Sequence, residues 1–538
     1  MSQLSECNSN HDICRAHHLR RQEIPFTKTF FIDTTQNCLV LKDTSKRYLA
    51  LSYVWGQTPM FKTTSSNVET LQQPGSLIEI ESAFSSVVQD AVKVTKELGE
   101  RYLWVDALCI PQDDEAQLNY MVARMDSIYA QAYLTIVAMS ANDADSPLPG
   151  VRRGTRSPGI SLIHRVVPPH EKHSPSTYAT IRLSLSHLTV SSRYVSRGWT
   201  FQESCLARRC LIFTNHETFL HCNSALWTDS GIALSRDIWP GRIAISSMIG
   251  MPSDEIDEAN RFFLYKQLIF TFTWRTLTYP EDSVRAISGI LAIFSRVFGW
   301  RFVAGMPSHL LELSILWRST SGLKQDDHLS RNPRFPSWSW AGWVGQTSFD
   351  HQVLERFAQY HTGKDYSAGL SFRSELSLSE QQAALLAHPE GFQESQLYAL
   401  QIEVSSASIT AFQIKPNPLP YNQKGTLLAS FDFVWAVGGH RCGVVFDFKD
   451  DGSKKQRIIA ISRSEWRKER MVFHGYSDGT SNYHLYCDEE IFQFSEYCFV
   501  NVLFIEPKGD VWERVGLGLI HIDAWEAVEK STENIVLK

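Results

Sequence analysis

The 538-residue sequence lacks the marks of several large classes of protein. It has no basic excess, because 52 Lys and Arg residues stand against 58 Asp and Glu, for a formal net charge of −6. A chain with this charge shows no electrostatic signature of obligatory binding to nucleic acid or anionic lipid. Apolar runs such as residues 134–139 fall far short of the roughly 18 residues that a membrane-spanning helix needs. We therefore expect no nucleic-acid partner and no membrane span.

Cysteine is sparse, and its distribution bears on the compartment. Ten Cys residues are spread over the chain, without the dense spacing of a small disulfide-stapled secreted domain. The segment Met1–Arg21 is polar and carries His and Arg, where a secretory signal would have an apolar core. These features predict a cytoplasmic protein with reduced thiols.

Standard catalytic and metal-binding signatures are absent as well. The sequence contains no Walker A loop, no GxSxG elbow, no GxGxxG fingerprint and no CxxC pair. His216 and His221 are one residue further apart than the ligands of an HExxH zinc helix. Potential zinc ligands also occur near the N-terminus: Cys7, His11, Cys14, His17 and His18. We expect a frayed polar terminus there and predict no metal site.

What the sequence does contain is the composition of a folded protein with several domains. Apolar residues make up 43% and charged residues 20% of the chain, which is ordinary globular usage. A chain of this length exceeds a single compact core. Changes in pattern divide it into a polar lead (1–28), an α/β domain (29–230), a mostly helical extension (231–345), a variable insertion (346–395) and a β-rich C-terminal region (396–538).

Alternating strands and helices predict a parallel sheet in residues 29–230. Short apolar runs that favour strands occur at Tyr48–Val54, Tyr102–Val105 and Tyr133–Met139. Between them, apolar positions at helical spacing cover residues 82–98 and 114–132. Strand–helix–strand units of this kind form parallel sheets with right-handed crossovers. The residues predicted to be buried around one sheet are Val88, Ala91, Val105, Met125, Val137 and Ile212.

Two of the predicted strands end beside residues suited to ligand binding. Ser52, Tyr53, Trp55 and Gly56 lie at or just beyond the first strand end, and Asp106 follows the second. Ligands of open α/β sheets bind outside the carboxyl ends of the strands. Glycine permits close backbone approach and the aromatic rings offer stacking faces. Core aromatics and a turn aspartate are the alternative that this pattern leaves open.

Three segments, in order, resemble the motif blocks of the fungal heterokaryon-incompatibility (HET) domain. They are Ala50–Gly56, Trp104–Ile110 continued by Asp126–Tyr129, and Arg197–Glu203. Segments similar to those that often follow the domain are Leu277–Asp282, Pro336–Ala341 and Arg514–Gly518. The resemblance implies that residues 29–230 are a HET domain. It also implies a role in non-self recognition and regulated cell death after fusion of unlike fungal cells, through self-association or an unidentified protein partner.

HET domains are in turn distantly similar to Toll/interleukin-1-receptor (TIR) domains, which implies a TIR-like, flavodoxin-like sheet. Enzymatic TIR domains cleave NAD with the glutamate of a Trp-x-x-x-Glu helix. Trp199 and Glu203 have that spacing, and Ser52-Tyr53 matches the Ser-Tyr pair of the first TIR strand. As an alternative to the effector role, the resemblance implies an NAD glycohydrolase with Glu203 as catalytic residue, NAD as substrate and no required cofactor. The implied binding residues are Ser52, Tyr53, Trp55, Gly56, Asp106, Arg197 and Trp199.

One carboxylate is chemically sufficient for this reaction. Cleavage of the nicotinamide–ribose bond passes through an oxocarbenium-like transition state, as glycoside hydrolysis does. The nicotinamide is already cationic in NAD and leaves without a general acid, so a carboxylate need only stabilise the positive charge on the ribose. Trp199 and Glu203 share one face of a helix, and Arg197 can pair with phosphate.

Three alternatives remain open at this point. Thr200–Glu203 also fits the S/T-x-x-E capping box, in which Glu203 only starts a helix. Trp338, Trp340 and Trp343 fit either a binding platform or a packed core. The chain as a whole also fits a regulatory interaction protein that is not linked to cell fusion.

Overall fold

The computed structural model describes residues 2–12, 14, 27–156, 162–166, 177–181, 184–189, 191–231, 233–234, 257–319, 329–349, 372–387, 394–417, 431–446, 448, 455–464, 486–495 and 497–538. The chain forms two compact units. The first comprises Met1–Met251, Arg275–Leu277 and Arg285–Ile293, and the second comprises Pro252–Trp274, Thr278–Val284 and Phe294–Lys538.

The first unit is built around one mixed sheet. Its strands are β1 Lys28–Asp33, β2 Cys38–Asp43, β3 Tyr48–Ser52, β4 Tyr102–Trp104, β5 Leu134–Val137, β6 Leu162–Val166, β7 Thr177–Ile181, β8 Arg209–Phe213, β9 Thr218–Cys222, β10 Leu226–Thr228 and β11 Ala233–Leu234. Its helices are α1 Ser2–Asn10, α2 Val68–Leu71, α3 Ser76–Glu79, α4 Ser86–Glu97, α5 Asp106–Cys109, α6 Glu115–Val122, α7 Met125–Gln131, α8 Leu185–Thr189, α9 Arg193–Ser196 and α10 Gly198–Leu206.

Nine strands form the sheet in the order β11-β10-β9-β8-β5-β3-β4-β1-β2, and β6 and β7 form a separate hairpin. The four central strands β8, β5, β3 and β4 are parallel. The flanking strands are antiparallel. The expectation of a parallel sheet is therefore right for the centre, whereas the sheet as a whole is mixed. Short hairpin turns join β1 to β2 and β8 to β9, and a turn that short permits only antiparallel pairing.

The predicted core is confirmed. Val88, Ala91, Val105, Met125, Val137 and Ile212 are all buried in the first unit. The three predicted central strands lie in one sheet. Hydrophobic periodicity was sufficient here because each of these elements packs one continuous apolar face against its neighbours.

Helix boundaries follow the sequence signals in part. α4 ends before Gly99, whose φ of 73° fits the predicted left-handed C′ position. The helix predicted over 114–132 is capped as expected, because the Asp114 side chain accepts a hydrogen bond from the Gln117 amide. It is interrupted after Val122, however, and Arg124 lies outside the helical region between α6 and α7.

The second unit has a helical part and a large β-rich part. Its helices are α11 Glu258–Thr273, the later residues of α12 Ser288–Phe298, α13 Leu311–Ser314, α14 Glu380–Ala387, α15 Glu394–Leu397 and α16 Ile522–Glu526. Short strands precede the main sheet: β12 Phe302–Val303, β13 Met306–Pro307, β14 Arg318–Ser319, β15 Ser330–Arg331, β16 Trp343–Val344 and β17 Thr347–Ser348. The sheet strands are β18 Phe372–Ser374, β19 Leu376–Leu378, β20 Leu400–Ser408, β21 Phe412–Lys415, β22 Asp432–Ala436, β23 Arg441–Phe446, β24 Arg457–Ser464, β25 Phe499–Lys508, β26 Val511–His521 and β27 Ser531–Leu537.

This ten-stranded sheet confirms the β-rich C-terminal region. Most of the predicted insertion at 346–395 falls outside the described residues, apart from 346–349, 372–387 and 394–395. Within the described residues, no helix is both long enough and apolar enough to cross a membrane.

The tryptophan segment belongs to the core of the second unit. Trp338 and Trp340 are at most 1% exposed, and the indole of Trp340 donates to the Tyr265 hydroxyl at 3.0 Å. Trp340–Gly342 is a 3₁₀ turn. Rings enclosed in this way are packed core residues, and the platform alternative is not supported.

Candidate functional site

Ser52 is the centre of a buried polar group at the carboxyl end of β3. Its hydroxyl donates to Oε2 of Glu203 and lies 2.6 Å from the Tyr194 hydroxyl. The exposed fractions are 1% for Ser52, 0% for Tyr194 and 6% for Glu203. Ser52 has one hydroxyl hydrogen and gives it to Glu203, so Tyr194 must donate in the second bond. The three side chains form a directed chain from Tyr194 through Ser52 to the carboxylate.

Helix α10 carries Glu203, and its start is set by tertiary contacts. Arg197, in extended conformation, is the N-cap residue. The Gly198 amide donates to the Thr276 carbonyl at 2.8 Å, and a Cβ at Gly198 would lie 2.4 Å from the Leu277 side chain. The helix therefore begins where a residue without a side chain can approach the Arg275–Leu277 segment.

The capping-box interpretation of Glu203 is wrong. Thr200 is the third residue of α10, and its hydroxyl donates to the carbonyls of Tyr194 (2.6 Å) and Arg197 (2.9 Å). An N-cap side chain would instead accept from a backbone amide. The Glu203 carboxyl accepts a hydrogen bond from Ser52 and so links α10 to the end of β3.

Burial dominates the titration of Glu203. Loss of hydration raises its pKa from the ordinary 4.5 to about 7, because the charged form is the one that burial penalises. The Ser52 hydrogen bond lowers this pKa, the nearby negative charge of Asp106 raises it, and Arg197 and the Tyr129 hydroxyl lower it. At neutral pH Glu203 is therefore poised between its acid and carboxylate forms.

Asp106, the first residue of α5, lies beside the same strand end. Its Oδ2 accepts from the Trp55 indole at 2.8 Å, and its Oδ1 accepts from the Ala107 amide at 2.7 Å. Burial raises its pKa, and the bonds from Trp55, Ala107 and Tyr53 oppose that rise. Tyr53 is 4% exposed, and burial with the nearby Asp106 charge raises its pKa well above the ordinary value.

Trp55 and Gly56 follow β3. The ammonium of Lys62 lies 4.7 Å from the centre of the Trp55 ring, over one of its faces. Gly56 has a φ of 73°, and a Cβ there would lie 2.5 Å from Cβ of Asp143. Glycine is thus required by the backbone conformation and by the close approach of Asp143.

Arg197 and Trp199 complete the predicted set. The positive charge of Arg197 lowers the pKa of both Asp106 and Glu203. Trp199 is half-buried, one helical turn before Glu203. The structure therefore brings Ser52, Tyr53, Asp106, Arg197 and Glu203 into one electrostatically coupled group, with Trp55 bound to Asp106.

Sequence reasoning missed three residues of this group. Tyr194 is hydrogen-bonded to Ser52. The Tyr129 hydroxyl donates a hydrogen bond to the Leu51 carbonyl at 3.0 Å. Arg275 donates to the Arg197 carbonyl (3.2 Å) and to Thr200 Oγ1 (3.3 Å), and its guanidinium lies 4.7 Å from the centre of the Phe201 ring. Burial lowers the pKa of Arg275 to about 10. Tyr129 lies in the second HET-like block, whereas no spacing signal marked Tyr194 or Arg275.

Comparisons with known proteins match the part of the sequence that contains this buried polar group. The sequence model of the family "Heterokaryon incompatibility protein (HET)" matches residues 48–203. A 105-residue stretch is 30% identical to "Heterokaryon incompatibility protein 6, OR allele" of Neurospora crassa, covering 18% of this chain and 15% of that protein. The match therefore spans a small part of that curated relative. No solved structure matches the chain. The matched region begins at the first residue of β3 and ends at Glu203, so residues 48–203 are the part of the chain that is similar to the HET family.

Proposed function

We propose that this protein acts in heterokaryon incompatibility, as an effector of non-self recognition and regulated cell death. Its HET domain would signal by self-association or by contact with a protein partner. The observation that carries the proposal is the match over residues 48–203. That region contains Ser52, Asp106, Tyr194 and Glu203, so the shared part of the sequence is also the part that builds the buried polar group.

Fusion of living cells tests this role. A fungal strain that expresses the chain is fused with a panel of unlike strains, and the survival of the fused cells is counted. Deletion of the coding sequence provides the matched control. We expect reduced survival in at least one pairing and its recovery in the deletion strain. Equal survival in every pairing would favour a regulatory protein that is not linked to cell fusion.

A second candidate function is NAD glycohydrolysis, and the surroundings of Glu203 favour it. Along the sheet, the four parallel strands run β4-β3-β5-β8, which is the order 2-1-3-4 in chain sequence. Flavodoxin-like sheets begin with this order, and their ligands bind where the order reverses. The reversal lies between β3 and β5, and Ser52 with Glu203 stands at the carboxyl end of β3.

The proposed reaction needs Glu203 in its ionised form. The carboxylate would stabilise positive charge on the ribose as neutral nicotinamide departs, and water would then add to the sugar. Arg197 would supply positive charge for the pyrophosphate. Because Glu203 is 6% exposed and already binds Ser52, ribose reaches it only after the covering groups move.

Release of nicotinamide separates the two candidates. The purified chain is incubated with NAD, and free nicotinamide is measured for the parent and for Glu203→Gln. NAD glycohydrolysis predicts release by the parent alone. Release by neither protein, together with loss of survival after fusion, would leave the effector role standing and exclude NAD cleavage under those conditions.

A further inference from the structure

Three thiols and an imidazole converge at one end of the β9–β10 hairpin. Cys7, His11 and Cys14 come from the N-terminal segment, and Cys222 is the last residue of β9. Their potential ligand atoms all lie within 4.8 Å of one another. The three cysteines are at most 1% exposed and are not in disulfides, and His11 is half-buried.

The spacing fits a tetrahedral metal ion after small side-chain movements. Zinc–sulfur bonds of about 2.3 Å place the corners of a tetrahedron about 3.8 Å apart. Cys222 Sγ is 3.3 Å from His11 Nδ1. Cys7 lies on α1 Ser2–Asn10, and His11 and Cys14 follow the end of that helix. Cys222, the last residue of β9, supplies the fourth ligand.

The surroundings of the sulfur atoms suit thiolate ligands. The Arg209 guanidinium donates to Cys7 Sγ at 3.1 Å, and the Ser224 amide donates to Cys222 Sγ at 3.3 Å. Three thiolates and a neutral imidazole around a divalent ion carry one net negative charge, which Arg209 would balance. The His11 ring stacks on Trp227, with centroids 5.4 Å apart and an angle of 15° between planes. Contacts of this kind orient metal ligands and tune their basicity.

We propose that Cys7, His11, Cys14 and Cys222 form a structural zinc site that fastens the N-terminal segment to the β9–β10 hairpin. Thiolate-rich tetrahedral coordination selects zinc among common divalent ions. Four protein ligands leave no open position, so the ion stabilises the fold and takes no part in chemistry. The site is independent of the proposed effector function.

The sequence pattern indicated three of the four ligands, namely Cys7, His11 and Cys14. The expectation of a frayed terminus is wrong, because Ser2–Asn10 is helical and Cys7 is buried. His17 and His18 lie outside the described residues. The fourth candidate ligand, Cys222, follows His11 by 211 positions, and no local spacing rule reaches that far.

Metal analysis of the whole chain tests the proposal. The purified protein is loaded with zinc, freed of excess metal and analysed for zinc per chain. We expect one zinc in the parent and at least about a tenfold loss of zinc affinity in Cys222→Ser. Cys38→Ser is the matched control, since it removes a buried thiol of the same unit outside the cluster, and it should keep one zinc. A parent without zinc, or a Cys222→Ser protein that binds as the parent does, overturns the proposal.

Cobalt substitution of the parent protects the test against a variant that fails to fold. One equivalent of Co²⁺ should give thiolate-to-cobalt charge-transfer absorption and the intense visible bands of tetrahedral coordination. The weak spectrum of octahedral cobalt would overturn the proposal. A disulfide that joins Cys14 to Cys7 or Cys222 in protein purified under reducing conditions would also overturn it.

Discussion

Ser52 and Glu203 are hydrogen-bonded across 151 positions of the sequence. The bond joins the carboxyl end of β3 to helix α10, and both side chains are buried. A buried carboxyl group needs such a partner, because an ionised group without hydrogen bonds would be strongly destabilising. The same bond keeps part of the Glu203 population ionised at neutral pH by opposing the effect of burial on its pKa.

Replacement of Glu203 by Gln should change how stability depends on pH. The folded-state pKa is raised from 4.5 to about 7, so the native protein holds an extra proton between these values. The parent's free energy of unfolding should therefore fall as pH rises from 4.5 to 7, by an amount of the order of 3 kcal/mol, and then level off. Glu203→Gln should lack this component. Denaturant unfolding of both proteins at several pH values measures the difference, and parallel curves would contradict the assignment.

Removal of the Ser52 hydroxyl should raise the pKa of Glu203 further. The hydrogen bond from Ser52 favours the carboxylate, so Ser52→Ala should leave more Glu203 protonated at pH 7. Infrared difference spectra of the carboxyl band, taken against Glu203→Gln in the same background, follow the titration. Ser204→Ala is the control, because Ser204 is also buried and donates to the Phe201 carbonyl at 3.0 Å. An unchanged midpoint in Ser52→Ala would argue against the bond.

Gly56 and Gly99 form a matched pair for testing the approach of Asp143. Both have a φ of 73°, so alanine should cost about 1–2 kcal/mol of backbone strain at either position. A Cβ at Gly56 would also meet Asp143 at 2.5 Å, whereas nothing lies within 4 Å at Gly99. Gly56→Ala should therefore lower the free energy of unfolding by about 1–3 kcal/mol more than Gly99→Ala does. Equal losses of unfolding free energy for the two variants, measured in urea, would show that the loop holding Asp143 moves freely away from residue 56.

The scaffold was more predictable than the site. β3, β4, β5 and α4 carry local periodic patterns that come from burying one face of each element. The direction of the edge strands has no such signal, and the sequence-based prediction missed the antiparallel β1–β2 pair.

The site depends on contacts that local patterns do not encode. The strand-end rule placed Ser52 and Asp106 correctly at one sheet edge. The start of α10 was misjudged, because it depends on the approach of Gly198 to Thr276 and Leu277. The sequence-based capping box placed the N-cap at Thr200, three residues after the observed N-cap Arg197, and gave Glu203 the wrong partner. Tyr194 was missed because a tyrosine becomes a hydrogen-bond partner here only through the tertiary fold.

Survival of fused cells is the direct measure of the proposed effector role. Strains that express the parent chain or Glu203→Gln, at equal levels of folded protein, are each fused with the unlike strains, and a deletion strain serves as reference. We expect the parent to lower survival relative to the deletion strain in at least one pairing. If Glu203 is catalytic, Glu203→Gln restores survival in that pairing. Equal survival of parent and deletion strains in every pairing would contradict the effector role.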